Sequence, residues 1–410
     1  MKRFRDIFIG FILASAPILS LYRIGPLSVS LWLTLIAFIF LVKDKQYCLK
    51  PNGTRPILRL AGILCVLSLN GMLLGYKGMS LVYSIIIILL EGFTFLALMG
   101  ASNPKVTLLF YRLIGYLCCL TAVYQCFVTI SGLPHFTGRI PFLELDSSVA
   151  GWMKESWGFR FNSLFSECSY FAIFLLPLFA YSIKTKRYLD SLIYGFSLVL
   201  SSSTTGIFGI CIVLLYEICY INVIRKREFK ALIVIGLFVV VAGYFIVRNQ
   251  EVLTMLLRTS NKVSELNEGA SDDRLFGGVN LFFELPFKEQ IFGVGLNQLA
   301  NYFKMNGKDI PNYANTIVSA LVNNGVIGLF FWIFYFINIF KISQRNNNQV
   351  FFYLYFAVSC ADPLTFNHRF YQFLYFIVFI NFCSDQSDKG WINIRAKQVE
   401  SNVPNNFTIL

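Results

Sequence analysis

An arginine and a glutamate stand at the start of an otherwise apolar stretch, GFRFNSLFSECSYFAIFLLPLFAY, residues 158–181. The forked donors of Arg160 match phosphate or carboxylate oxygens, although a long basic side chain can also simply anchor a helix at the membrane surface. The carboxylate of Glu167 could take a proton from an attacking hydroxyl, or it could hold Arg160 in a buried ion pair. The spacing puts both residues on one face, two turns apart, if the helix already includes Arg160. The segment is therefore a candidate catalytic site.

Membrane-spanning helices are the elements that must position these residues. Hydrophobic residues make up 56% of the 410 positions and charged residues only 14%, and the apolar runs are continuous, which is typical of helices rather than of barrel strands. Since a crossing takes roughly 20 residues, the sequence predicts an all-α, polytopic membrane protein with about twelve spans in one domain, 1–410. The predicted spans are residues 7–21, 27–42, 57–74, 79–99, 106–130, 167–183, 189–201, 206–220, 231–247, 315–340, 350–361 and 366–383.

The distribution of lysine and arginine predicts the orientation of the chain. Basic residues are concentrated in the segments that lie inside if the N-terminus is cytoplasmic, including the tail 384–410, so both termini are predicted to be cytoplasmic. The net charge of +13 reflects this topology and indicates no nucleic-acid partner. Two long loops, 131–166 and 248–314, then lie outside, and loops of this length are usually functional.

Four segments together resemble a known family. RFNSLFSECSYFAIF is similar to the Arg-x-x-Ser/Gly-x-Phe-x-Glu-Pro-Ser segment of O-antigen polymerases, with Cys168 where proline is usual. SSSTTGIFGI resembles the Ser/Thr-rich helix start that follows in those proteins. DDRLFGGV with FKEQIFGVGLNQL resembles their arginine-containing second loop, and NYANTIVSALVNNGVIGL resembles a later helix start. In order and spacing, the chain is similar to the O-antigen polymerase/ligase superfamily over roughly residues 158–340.

The resemblance implies a GT-C-like glycosyltransferase in the bacterial inner membrane, and no cofactor is expected. Such polymerases move a growing glycan from undecaprenyl diphosphate onto the next lipid-linked repeat unit at the periplasmic face, and they work with a flippase and a chain-length regulator. The related ligases transfer the glycan to lipid A core instead. The ligase-type histidine would fall at Ala314, which favours the polymerase. A flippase for the same lipid is a further alternative, but the basic residues lie in outside loops rather than along a central cavity.

The resemblance also assigns roles to individual residues. Arg160 would bind the leaving diphosphate, and Arg274 would contact the donor, unless it is a solvated charge beside two aspartates. Asn312 and Asn315 are candidate sugar-binding amides, although Asn315 could instead cap a helix. Arg258, like Arg248, follows the ninth span; it is kept as a substrate-binding candidate, with an interface anchor as the alternative.

Three further features of the sequence concern possible functions that either stay open or are rejected. Glu91 is ionisable at membrane depth, which favours a function, although a protonated glutamate between helices would explain it equally well. His135 and His368 lie far apart in predicted outside loops, and the cysteines show no metal-like spacing, so no metal site is expected. GVGL at 293–296 lacks the third glycine and the preceding strand of a dinucleotide-binding loop.

Overall fold

The computed structural model describes residues 2–43, 51–73, 78–134, 136–146, 160–217, 282–298, 301–302, 304 and 315–380. The described chain is mostly helical. The helices are α1 Lys2–Leu19, α2 Val29–Lys43, α3 Pro51–Leu73, α4 Gly78–Ala101, α5 Pro104–Ile130, α6 Cys168–Lys184, α7 Tyr188–Leu200, α8 Thr204–Val213, α9 Phe287–Phe292, α10 Thr316–Arg345, α11 Gln349–Ala361 and α12 His368–Leu374. A π-helical turn, Tyr375–Phe379, continues α12.

The predicted spans within the described residues coincide with these helices, apart from shifts at their ends. Leu81–Ala101, Pro104–Ile130 and Thr316–Arg345 are long and apolar enough to cross a membrane. The shorter apolar helices include α2, α6, α7 and α11. A helical membrane protein is thus confirmed, whereas the twelve spans and the GT-C-like fold stay predictions, and the ninth predicted span, 231–247, lies outside the described residues.

A small antiparallel sheet ties the first long loop to the connection between α1 and α2. Its strands are β1 Tyr22–Ile24, β2 Leu27–Ser28 and β3 Glu144–Leu145, in the order β2-β1-β3. Tyr22 pairs with Leu145 in the sheet, and its hydroxyl accepts a hydrogen bond from the Ile140 amide at 2.9 Å. Arg23 forms an ion pair with Asp146. The all-α prediction did not include this sheet, because the strands are too short to show an alternating pattern.

Helix α10 is broken at Gly325, and the segment after α9 packs into the break. Gly325 has φ 68° and ψ −172° inside the helix. The amides of Val294 and Gly295 donate to the carbonyls of Val322 and Asn323 at 3.1 and 2.8 Å. The loop thus supplies hydrogen bonds at the break, where irregular backbone would otherwise carry unpaired groups. The glycines of the GVGL motif are therefore explained by close packing.

We expect Gly325→Ala to prevent this packing. A Cβ at Gly325 would lie 2.1 Å from the Ile291 carbonyl oxygen, and its positive φ adds strain of roughly 1–3 kcal/mol. Gly62→Ala is the matched control, because a Cβ at Gly62 meets nothing within 4 Å. Size-exclusion chromatography of detergent-extracted protein should show a much smaller monodisperse peak for Gly325→Ala and an unchanged peak for Gly62→Ala. Equal peaks would contradict the close packing of the loop against α10.

Helix α12 lies in the interior of the bundle. Residues 370–377 are almost completely buried, and Gln372 Nε2 donates to the Phe174 carbonyl of α6 at 2.9 Å. His368, predicted to lie in an outside loop, is instead the buried first residue of α12 and lies 2.6 Å from Ser30 Oγ through its Nε2. Asn367 caps α12 by accepting from the Phe370 amide at 3.0 Å, so the helix starts at this histidine, and packing against other helices encloses it.

Candidate active site at the ends of α6 and α12

Arg160 is held next to the first residue of α6. Its Nη2 donates to Cys168 Sγ at 2.9 Å, and the side chain is half-buried. Its Nε is buried and has no hydrogen-bond acceptor among the residues that the structure describes. Cys168 occupies the first helical position, where proline is well tolerated, so the departure from the family pattern is compatible with the same helix start. Arg160 therefore has a donor available for a ligand.

Glu167 is the N-cap residue of α6, and its extended backbone (φ −136°, ψ 150°) lies outside the helix. The helix thus does not include Arg160, so the condition under which the two residues would lie two helical turns apart on one face is not met. Ser169 Oγ donates to Glu167 Oε2 at 3.0 Å. Within the described part of the chain, Glu167 forms no ion pair with Arg160 or any other basic residue, so the structure does not show the alternative of a buried ion pair. The site therefore contains a partly exposed carboxylate at a helix N-terminus.

Gln125 of α5 fixes the segment between these two residues. Its Nε2 lies 3.1 Å from Asn162 Oδ1 and 3.2 Å from the Ser163 carbonyl, and its Oε1 accepts from the Ser163 amide at 2.8 Å. Ser163 has a positive φ of 55°, and its hydroxyl donates to the Cys118 carbonyl at 2.7 Å. Sequence reasoning missed Gln125. A buried amide inside an apolar helix was the available signal, since such a group needs partners from neighbouring segments.

Arg369, near the start of α12, is a second cation in this region. Its guanidinium carbon lies 3.5 Å from the centre of the Tyr170 ring of α6. Its Nη1 is buried and, among the described residues, has no hydrogen-bond acceptor. Sequence analysis gave Arg369 no role. Arg369 lies beside Tyr170, three residues after Glu167, because α12 packs against α6.

Hydrogen bonds join two further motif segments near the start of α12. Thr205, at the start of α8, donates to Asp362 Oδ2 at 2.7 Å. Thr316, the first residue of α10, donates to the Asp362 carbonyl at 2.9 Å. At Gly206, a Cβ would meet the Ala172 methyl group of α6 at 3.0 Å. The Ser/Thr-rich motif therefore packs on α6, and Asp362 links this motif to the start of α10.

Asn315 caps α10, because its Oδ1 accepts from the Val318 amide at 2.9 Å and the residue is 5% exposed. The structure thus shows the capping role that was the alternative to sugar binding, and sugar binding by this residue stays a prediction. Arg258, Arg274 and Asn312 lie outside the described residues, as do Arg248 and the tail 384–410. Their assignments stay predictions.

The described residues contain no group of three His, Cys, Asp or Glu side chains that could hold a metal ion. Glu91 is buried in α4, and its Oε1 lies 4.0 Å from His368 Nε2. Ser30 Oγ lies 2.6 Å from the same histidine nitrogen. Glu91 thus belongs to a small polar cluster between helices.

Together, these features define a helical integral membrane protein with arginine and carboxylate side chains at the ends of its helices. Residues 191–333 match the family model described as O-antigen ligase. This match supports membership of the O-antigen polymerase/ligase superfamily and confirms the resemblance seen in the motifs. This family covers both polymerases and ligases and acts on lipid-linked O-antigen units. The match includes the motifs of α8, the second loop and α10, while Arg160 and Glu167 precede it. No curated protein matches the chain.

Proposed function

We propose that the protein is an O-antigen polymerase of the inner membrane, which transfers the growing glycan from undecaprenyl diphosphate onto the next lipid-linked repeat unit at the periplasmic face. The observation that carries this proposal is the pair of Arg160 and Glu167. Among the described residues, a buried donor of Arg160 has no acceptor, and no cation neutralises the carboxylate of Glu167. The two groups supply the two charges that glycan transfer from a diphosphate requires.

The proposed transfer breaks one bond and forms one. The hydroxyl oxygen of the acceptor sugar attacks the anomeric carbon of the donor, and the bond from that carbon to the diphosphate oxygen breaks. Glu167 takes the hydroxyl proton as general base. The diphosphate leaves with the bonding electron pair, and the guanidinium of Arg160 stabilises its growing charge through forked hydrogen bonds.

A ligase would use the same donor and a different acceptor, lipid A core. Ala314 at the position of the ligase-type histidine favours the polymerase. In the proposed setting a flippase supplies the lipid-linked units and a chain-length regulator limits the product. The placement of Arg160 and Glu167 at a helix end, rather than along a central cavity, favours an enzyme over a flippase.

Deletion of the gene, followed by electrophoresis of the lipopolysaccharide, tests the proposal. We expect core capped with a single repeat unit, because the ligase and flippase would still be present. Restoration of long chains by the wild-type gene on a plasmid is the control. Bare core without any repeat unit would contradict the polymerase and would indicate a ligase or a flippase.

The proposed topology places both termini in the cytoplasm and both long loops in the periplasm. Single cysteines near Gly151 and Gly269, in a cysteine-free background, should react with a membrane-impermeant thiol reagent in intact spheroplasts. A cysteine near Gly53, at the start of α3, should react only after the membrane is opened. The reverse labelling pattern would contradict this orientation.

A further inference from the structure

We propose that Arg369 is a second residue that binds the diphosphate of the lipid-linked donor, and that Tyr170 holds it in position. This inference rests on the proposed function, which it extends to a part of the chain beyond the family match at 191–333 and beyond the motifs. The inference assigns the two phosphate groups of the substrate to two arginines, Arg160 next to the start of α6 and Arg369 near the start of α12.

The packing of α12 on α6 fixes the position of Arg369. Gln372, three residues after Arg369, donates to the carbonyl of Phe174, four residues after Tyr170, at 2.9 Å, and both Gln372 and Phe174 are fully buried. Residues three or four apart lie on the same face of a helix. The Arg369–Tyr170 stack is therefore the next contact along the same helix pair, toward the start of both helices. It lies at the end of α6 that carries Glu167.

The stack determines which part of the guanidinium can bind a ligand. With the guanidinium carbon 3.5 Å from the Tyr170 ring centre, the ring lies against the cation and stabilises it. A stacked guanidinium keeps its N–H donors in its own plane, where they can bind a phosphate in a forked manner. The aromatic ring thus orients the group and leaves its edge for an anion.

Buried guanidinium N–H groups that have no acceptor among the described residues indicate that this site binds an anion. Arg369 Nη1 and Arg160 Nε are both buried, and neither has an acceptor among the described residues. A buried N–H of a cation is costly when it has no partner, and phosphate oxygens are strong acceptors for it. By contrast, Arg23, on the same predicted side of the membrane, is neutralised by Asp146. Arg160 and Arg369 thus share the property expected of diphosphate ligands before the substrate binds.

Binding of two lipids that differ by one phosphate tests this assignment in purified full-length protein. The probes are undecaprenyl diphosphate and undecaprenyl monophosphate. We expect the wild type to prefer the diphosphate, and Arg369→Gln to lose roughly ten- to a hundredfold in diphosphate affinity with a much smaller loss for the monophosphate. Arg369→Lys should lose much of the preference as well, because lysine lacks the forked geometry. Arg139→Gln, which removes an exposed arginine of the first long loop, is the control and should bind like the wild type.

Tyr170 variants test the positioning role separately from the charge. Tyr170→Leu removes the ring under Arg369 and should lower the diphosphate preference, whereas Tyr170→Phe keeps a ring and should recover most of it. An effect on folding alone would lower the affinity for both lipids equally in every variant, and this result would overturn the assignment.

The outcomes distinguish this inference from the proposed function. If the wild type prefers the diphosphate and Arg369→Gln shows the same preference, then Arg369 does not bind the donor, and the proposed function still stands. If the wild type shows no diphosphate preference, both proposals are overturned. A preference that is lost in Arg369→Gln and kept in Arg139→Gln supports the inference.

Discussion

Replacement of Arg160 by lysine is expected to shorten the O-antigen from long chains to a single repeat unit, as is replacement by alanine. Lysine keeps a positive charge on a long side chain, which is all that an anchor at the membrane surface needs. It lacks the forked donors that match the oxygens of a leaving diphosphate, and this loss is greatest where charge develops in the transition state. The structure supports this expectation, because Arg160 is half-buried and has a buried Nε without an acceptor among the described residues.

Electrophoresis of lipopolysaccharide from complemented deletion strains would measure this effect, with the amount of membrane-inserted protein determined in parallel. Arg274→Lys should retain more activity, since we expect a looser contact from the second long loop. Arg248→Lys is the control for an anchor and should give chains of normal length. Ordinary chains from Arg160→Lys would show that the arginine only anchors the helix end.

Substitution of Glu167 by glutamine should slow polymerisation by about 10²-fold or more, as is typical of the loss of a general base. Glutamine can still accept the hydrogen bond from Ser169 and keeps the size of the side chain, so the start of α6 should be unchanged. Because no described cation pairs with Glu167, the loss of its charge should not release Arg160. The effect should therefore appear in the rate of chain growth and not in the protein level.

Glu144→Gln is a matched control, because Glu144 is an exposed glutamate in β3 that plays no part in the site. Chain growth is followed by incorporation of labelled sugar at equal amounts of membrane protein. A rate near that of the wild type for Glu167→Gln would remove the assignment of the general base and leave only a role at the helix start.

The helices could be predicted from the sequence because each depends on a local property, the length of an apolar run. The start of α10 depends on a similar local signal, an N-cap asparagine followed by apolar residues. The break in α10 could not be predicted in this way. The amides of Val294 and Gly295, some 30 residues earlier in the chain, donate to carbonyls just before Gly325, and such a contact leaves no periodic pattern in either segment.

The candidate site, like the fold, could be predicted from the sequence only in part. Arg160 and Glu167 were predicted from their residue types at the start of an apolar segment, but their relative geometry was not, because Gln125 holds the intervening chain out of a helix. Arg369 was missed because Tyr170, the residue that gives it a position, lies about 200 residues away in sequence. An arginine close to the start of a predicted span was the only local signal, and by itself it equally indicates an interface anchor.

Reconstitution tests the central claim most directly. The purified protein is placed in proteoliposomes and supplied with lipid-linked repeat units alone, and the products are separated by size. The proposed function predicts a ladder of glycans of two or more units on undecaprenyl diphosphate, with undecaprenyl diphosphate released at each transfer, and no ladder from Arg160→Ala. If the wild type leaves single units unchanged, yet transfers them when lipid A core is added, the protein is a ligase and the polymerase assignment is wrong.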